Sequence, residues 1–273
     1  MKNSSPEDRP KYLPKDLSDF DKAAKHAAKL GGDVLVKWLG KTTTKEKGFR
    51  DLVTQADFES QEVIKSFLLK EFPNHRFVGE EDTLDQSISA EELCWIVDPL
   101  DGTTNYVHQL RSFAVSIALC QNNEPLVGTV FDPLSEELFS AIQSLGAELN
   151  GEKIQTSNCD ELGKALFVFS LGRGIKRDDP QVIRFLNILE AAGSIRRLGS
   201  AALNLCYVAC GRTDAYWATS LKKWDVAAGW LIATEAGATI KDFRGHELDL
   251  DKPYFCCAAS DKLFVQAQPL LNI

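Results

Sequence analysis

Two carboxylates three residues apart, Asp98 and Asp101, lie in the run Trp95-Ile96-Val97-Asp98-Pro99-Leu100-Asp101-Gly102-Thr103-Thr104-Asn105-Tyr106. Carboxylates are hard oxygen donors, suited to Mg2+ or Mn2+ rather than zinc. Pro99 fixes φ between the two acids and removes a backbone donor. Gly102 lets the backbone approach a ligand closely. Two negative groups held rigidly together repel unless a cation joins them. The apolar run Leu93 to Val97 delivers this segment, so the chemistry implied is a metal site at a strand's end with a phosphate-sized space beside it.

Four other segments carry chemistry-bearing residues. Gly79-Glu80-Glu81-Asp82 ends a strand with three acids, and the stretch from Asp51 to Asp57 places a carboxylate at a helix start. Arg197-Leu198-Gly199-Ser200-Ala201-Ala202 opens a helix with small residues, and Trp224-Asp225-Val226-Ala227-Ala228-Gly229 opens another with an aspartate. Taken singly, Asp57 or Asp225 is a helix cap, Glu80 to Asp82 a solvated turn and Ser200 an N-cap. Taken together these readings weaken, because apolar runs lead into Glu80 and Asp98 and a buried strand end does not tolerate uncompensated acids. The histidines, His26, His75, His108 and His246, lie outside these segments and read as surface or packing residues. Gly172-Arg173-Gly174 reads as a turn, while Lys222 and Lys223 either meet extra negative charge on a substrate or sit in a solvated loop.

The elements that position these residues follow from periodicity. Ser18, with Asp21 in the capping-box position, starts a helix whose inner face runs from Phe20 through Ala24, Ala27 and Leu35 to Trp38. A second helix runs from about Asp57 to Glu71. Short strands follow to Glu137–Ser140, and Asn150-Gly151 is a hairpin turn. Beyond it strands and helices alternate. Residues 1–17, with Pro6, Pro10 and Pro14, read as a loosely ordered lead-in. Residues 18–150 read as an α+β part with a mostly antiparallel sheet, and 151–273 as an α/β part. The expected site lies between the two, packed as one layered unit.

Composition narrows the function. The 273 residues are 44% hydrophobic, and a chain of this size buries roughly 75% of its unfolded surface. The net charge of -8 and the lack of a basic stripe argue against nucleic acid as a partner, although an acidic enzyme can bind phosphates through metal ions. Seven cysteines, an odd number without a C-x-x-C pair, read as buried free thiols in a reducing cytoplasm. No apolar run approaches membrane-spanning length, so no membrane association is expected.

With Gly79-Glu80-Glu81, the run Trp95 to Asn105 and Trp224-Asp225-Val226-Ala227-Ala228-Gly229 in this order, the chain resembles the inositol monophosphatase family, within the lithium-sensitive, magnesium-dependent phosphatase superfamily. The resemblance implies a layered α-β-α-β-α sandwich of the inositol monophosphatase and fructose-1,6-bisphosphatase type. It implies that Glu80, Asp98 and the Leu100 carbonyl hold a first Mg2+, and that Asp98, Asp101 and Asp225 hold a second. A third, weakly held ion at Glu80 and substitution by Mn2+ stay open. The amides of Gly102 and Thr103 would cradle the phosphate, with Leu100, Asp101 and Asp225 beside it. Asp57 would accept from the Thr103 hydroxyl, which orients the attacking water; Gly199, Ser200 and Ala201 would line the alcohol side. The implied activity is Mg2+-dependent hydrolysis of a small phosphorylated alcohol, inositol monophosphate or a related sugar or polyol phosphate, by a lithium-sensitive homodimer.

The physics agrees with these roles. One cation can acidify water and another can stabilise the leaving oxygen, while a Thr–Asp pair places the water in line, so no protein nucleophile is needed. One position departs from the family. A glutamate that commonly contacts inositol hydroxyls, seven residues before the metal-binding aspartate, is Ala218 here. A site without that polar partner loses discrimination for a polyol. Histidinol phosphate, fructose 1,6-bisphosphate and 3′-phosphoadenylate therefore stand as alternative substrates. A non-catalytic relative would lack a ligand or the Thr–Asp pair, and here Asp57, Glu80, Asp98, Asp101, Thr103 and Asp225 are all present.

Overall fold

A computed structural model describes residues 14–41, 44–48, 51–82 and 92–273. Most of the expected lead-in, residues 1–13, lies outside the described residues. Helix α1 spans Pro14–Trp38, so it begins ahead of Ser18 and takes in residues 14–17. A short antiparallel pair of strands follows, β1 (Thr44–Gly48) and β2 (Asp51–Thr54). Thr54 then caps α2 (Gln55–Glu71).

Helices α1 and α2 cover one face of a seven-stranded sheet. Its strands, in spatial order, are β3 (Arg76–Gly79), β4 (Cys94–Asp101), β5 (Ala114–Gln121), β6 (Glu124–Asp132), β7 (Glu137–Ile142), β8 (Gly146–Leu149) and β9 (Glu152–Lys153). Only β3 and β4 pair in parallel. Between β8 and β9, Asn150 (φ 52) and Gly151 (φ 86) both adopt positive φ, as a type I′ hairpin turn requires. Strand β4 shows why its sequence is an unbroken apolar run. Trp95 and Val97 face α1 and α2, while Cys94 and Ile96 face a second core, so both faces are buried.

That second core holds α5 (Ala201–Ala209) and α6 (Lys223–Glu235), sandwiched between the first sheet and a five-stranded one. The order of the five strands is β11 (Ser194–Arg196), β10 (Leu166–Ser170), β12 (Ala215–Ala218), β14 (Phe255–Ala258) and β13 (Thr239–Lys241). A helix between two sheets must be apolar all round, and every residue of α5 except Tyr207 is buried. Strands β11 and β12 run parallel to β10. On the far side α4 (Pro180–Ala191) and α7 (Asp261–Leu271) close a third core around Phe167, Trp217 and Leu263. The layers are therefore helix, sheet, helix, sheet, helix. Five cysteines are buried, Cys159 and Cys210 are partly exposed, and all seven are free. No helix among the described residues is long and apolar enough to cross a membrane.

Candidate active site

In a regular strand, residues three apart point to opposite faces, so Asp98 and Asp101 should not meet. The register of β4 against β5 resolves this: Asp98 pairs with Ser116 and Asp101 with Ala114, which leaves one extra residue in β4. That bulge reverses the alternation and turns both acids toward one cleft. Pro99 stands within it, where a missing N–H costs no ladder bond. Its carbonyl accepts from the Ser60 hydroxyl at 3.1 Å. The Leu100 amide donates to Asp98 Oδ1 at 2.9 Å.

The chain then turns through Gly102 at φ 95, where a Cβ would lie 2.9 Å from the Ser112 carbonyl, so only glycine fits. The short helix α3 (Thr103–Val107) starts there. Asn105 fastens this turn to the distant α5 segment, donating from Nδ2 to the carbonyls of Ser112 and Leu198, each at 2.7 Å.

Three other elements complete the acidic set. The N-terminus of α5 grips Asp101: Oδ2 accepts from the Ser200 hydroxyl and from the Ala202 amide at 2.8 Å. Asp225, in the first turn of α6, accepts from the Lys222 amide at 2.7 Å. Glu80 follows β3, its amide donating to the Val97 carbonyl at 3.1 Å. Its neighbours are tied down by Asp82, which accepts from the Gly79 amide at 3.0 Å and the Lys65 ammonium at 2.9 Å.

Asp98, Asp101 and Asp225 each bring a carboxylate oxygen within 4.8 Å of the others. Asp98 is 1% exposed and Asp101 7%. Burial first, then the charges of Glu80, Asp101 and Asp225, pushes the Asp98 carboxyl well above the usual carboxylate range. Asp225 is pushed up to about 8 by burial, Asp101 and Glu80. Burial also raises Asp101, though the Ser200 hydroxyl and the α5 amides pull it back. Clustered hard oxygens that repel in this way fit a divalent hard cation, which would remove the repulsion and favour the charged forms. Glu80, Asp98, Asp101 and Asp225, with Leu100 beside them on the cleft, are the residues that could hold such ions.

The cleft has a volume of about 930 Å³. Its lining includes Glu80, Asp98, Leu100, Asp101, Gly102, Thr103, Gly199, Ala201 and Asp225, nine of the eleven residues expected at the site. Ser200 departs from the expectation. It is fully buried and stands behind the wall, capping α5 through the Leu203 amide while donating to Asp101. Asp57 is also buried, and its Oδ2 accepts from the Thr54 amide at 2.8 Å and hydroxyl at 2.7 Å, the capping box of α2. Its charge reaches Tyr106 in α3. The Thr103 hydroxyl donates to the Leu100 carbonyl at 3.2 Å.

Sequence reasoning missed several lining residues. Ser170, Arg173, Arg197 and Thr219 all border the cleft, as does Lys222, whose placement the sequence had left open. Ala218 is fully buried in β12, and the residues after it, Thr219 to Leu221, form the wall. A charged residue beside a turn glycine, as in Gly172-Arg173-Gly174, was the only signal available for Arg173.

Residues 16–270 match the model of the inositol monophosphatase family. Inositol monophosphatase of Mesembryanthemum crystallinum is 42% identical over 242 residues, covering 86% of this chain and 89% of its own length. Among solved structures, the suhB protein of Bartonella henselae is 32% identical with a TM-score of 0.87, covering 93% of this chain and 98% of its own. An IMPase/NADP phosphatase solved with Mg2+ and phosphate is 27% identical with a TM-score of 0.83, covering 94% and 96%. The acid-floored cleft between two sheets thus lies in a chain that belongs to the inositol monophosphatase family and is a phosphatase of that fold.

Proposed function

We propose that the protein hydrolyses a small phosphorylated alcohol, inositol monophosphate or a related sugar or polyol phosphate, with Mg2+. The observation that carries this reading is the convergence of Glu80, Asp98, Asp101 and Asp225, from three separate parts of the chain, on one cleft beside the turn at Gly102. Two Mg2+ ions held there, with Glu80 near a third and Mn2+ able to substitute, would supply acidified water and charge neutralisation at the phosphate.

The chain's own residues do the rest. Helix α3 is only five residues long, so its dipole is small and the direct donors matter: the amides of Gly102 and Thr103 bind the phosphate oxygens. The Thr103 hydroxyl exchanges the Leu100 carbonyl for Asp57 and orients the attacking water, with Asp57 taking the proton at its carboxylate. Gly199 and Ala201 shape the alcohol side, where the absence of side-chain bulk leaves room for a ring. Ser200 holds Asp101 in place and acts on the substrate only through it.

Lithium inhibition, a homodimer, the cytoplasmic setting and a division into parts 18–150 and 151–273 belong to the same proposal. The seven free cysteines support the reducing compartment. A regulatory reading is suggested by relatives that carry the name Nus factor SuhB, but the complete acidic set and the net charge of -8 favour catalysis over nucleic-acid binding. Phosphate release from a panel of polyol, sugar, histidinol and nucleotide monophosphates, with Mg2+ and with chelator, tests the proposal. Release with Mg2+ alone is expected, and no release from any substrate would sink it.

A further inference from the structure

Among the described buried side chains, Asn204 alone leaves two polar atoms, Nδ2 and Oδ1, without a hydrogen bond. It is fully buried in the first half of α5. An unpaired buried amide destabilises a fold, so a residue of this kind marks a place where packing yields to another task. Its neighbour is Tyr216 of β12, also fully buried. The amide lies near enough to the phenol to pull its pKa down, yet outside hydrogen-bond alignment. Burial is the main cause that raises that pKa, and the charges of Asp101 and Asp225 add to it. The phenol therefore keeps its proton, within reach of the floor of the cleft.

That proton has a defined destination. The Tyr216 hydroxyl donates to Ser170 Oγ at 2.9 Å. Ser170 ends β10 and lines the cleft. In the parallel pairing of β10 with β12 it stands opposite Ala218, whose methyl group offers no polar contact. Tyr216, two residues before Ala218, faces the same side of the sheet. A T-shaped contact with Phe255 at 5.5 Å fixes the Tyr216 ring. The rim loops that continue the two strands, 171–175 and 219–222, also line the cleft. Gln181 in α4 staples them, its Oε1 accepting from the Gly172 amide at 2.8 Å and from the Thr219 hydroxyl. The backbone beside Ser170 is thus held, and the direction of its hydroxyl is left to Tyr216. A serine hydroxyl has one proton and two lone pairs. With a lone pair taken by Tyr216, the Ser170 proton is available to the cleft.

Resting on the phosphatase reading above, we infer that Tyr216 is a positioning residue for the alcohol side of the substrate. Its hydroxyl, supported by Asn204, holds Ser170 as a hydrogen-bond donor toward an oxygen of the alcohol. Tyr216 and Asn204 are buried behind the wall and act only through Ser170. The wall therefore selects alcohols that bring an acceptor oxygen there over those that present only carbon.

The test is a ratio: kcat/KM for the best polyol or sugar phosphate of the panel over kcat/KM for phenyl phosphate, whose ring presents carbon where the polyol presents oxygen. Tyr216→Phe keeps the ring against Phe255 and removes only the hydroxyl. It and Ser170→Ala should each lower the ratio by about threefold to tenfold, mainly through KM of the oxygen-bearing substrate. The double variant should lose no more than Ser170→Ala alone, since one residue acts through the other. Asn204→Leu should lower the ratio severalfold while Tm holds or rises, because the unpaired amide is gone. Unchanged ratios in Tyr216→Phe and Ser170→Ala, equal slowing of both substrates, or additive losses in the double variant overturn the positioning role and leave the phosphatase reading intact. Should Tyr216→Phe fail to fold, Ser170→Ala and Asn204→Leu decide the matter. For Asn204→Leu, an unchanged ratio, or one that falls only together with Tm, removes Asn204 from the chain. Release by wild type from neither substrate, nor from any member of the wider panel, overturns both readings.

Discussion

The floor of the cleft and its rim hold their charges in different ways. On the floor, the three aspartates each accept from a backbone amide: Asp98 from Leu100, Asp101 from Ala202, which the Ser200 hydroxyl reinforces, and Asp225 from Lys222. These groups are buried or half-buried, and their repulsion is offset only when a cation joins them. On the rim, Arg173, Arg197 and Lys222 are exposed, and what is fixed is the loop beneath two of them, through Gln181. Rigid buried donors suit an ion with strict geometric demands. Exposed cations on stapled loops suit a substrate group whose position varies. Chemistry and selectivity can therefore change independently in this fold.

The largest effect expected on the floor comes from Asp101→Asn. Loss of an outer partner of a metal ligand costs about 10–100-fold, so loss of a ligand itself should exceed that in kcat. The check is phosphate release alongside an unchanged far-UV circular dichroism spectrum. Turnover at the wild-type rate would remove Asp101 from the metal set.

Ser200→Ala should fall in the range of about 10–100-fold in Mg2+ affinity, measured by titration calorimetry. It should also lower stability by about 0.5–2 kcal/mol, because Ser200 caps α5 as well. A stability loss with unchanged Mg2+ affinity would reduce Ser200 to a cap.

The pH dependence of metal-free protein sharpens the same contrast. Asp98 and Asp225 have folded pKa values raised above the ordinary carboxylate value, Asp225 to about 8. A raised acid binds more protons in the folded than in the unfolded chain, so it destabilises the fold as pH rises from the carboxylate range toward about 8. Tm without metal should decline over that window, and Mg2+ should restore more of it at pH 8 than at pH 5. A Tm that rises over the window, or an equal Mg2+ effect at both ends, would contradict the repulsion described for the floor.

The smallest effect belongs to the rim. Gln181→Leu should leave Mg2+ affinity within about twofold and change kcat/KM severalfold, since each loop hydrogen bond it loses is worth about 0.5–1.5 kcal/mol. Equal changes in both quantities would show that the two regions are not separable.

Much of the floor was readable from sequence because its donors are chemically distinctive and contiguous. Asp98, Pro99, Asp101 and Gly102 announce a metal and a tight turn without any tertiary information. Even there the bulge was invisible, because which residue of β4 is unpaired depends on β5. Asp225 and Glu80 look like a cap and a turn until the fold brings them to Asp98, and the family resemblance was what joined them. The family resemblance implied that Ser200 lines the alcohol side with Gly199 and Ala201, whereas its own sequence context read as an N-cap. Its true direction is set by Asp101, a contact 99 positions away in sequence. The rim was the least legible part. Arg173 follows a turn glycine, and nothing local says that β10 and β12 lie side by side, which is what carries that turn to the cleft. The pairing of β1 with β2 escaped for a similar reason, since each strand is defined by the other.

One titration bears most directly on the acidic floor as a metal-dependent hydrolytic centre. Mg2+ is added to chelator-treated wild type and to Asp101→Asn, with calorimetry for binding and phosphate release measured at each point on the best substrate of the panel. In wild type, release should start from zero and rise with occupancy, and in the variant both curves should collapse together. Release that persists in chelator, or Mg2+ binding in wild type with no release at saturation, would refute that role for the floor.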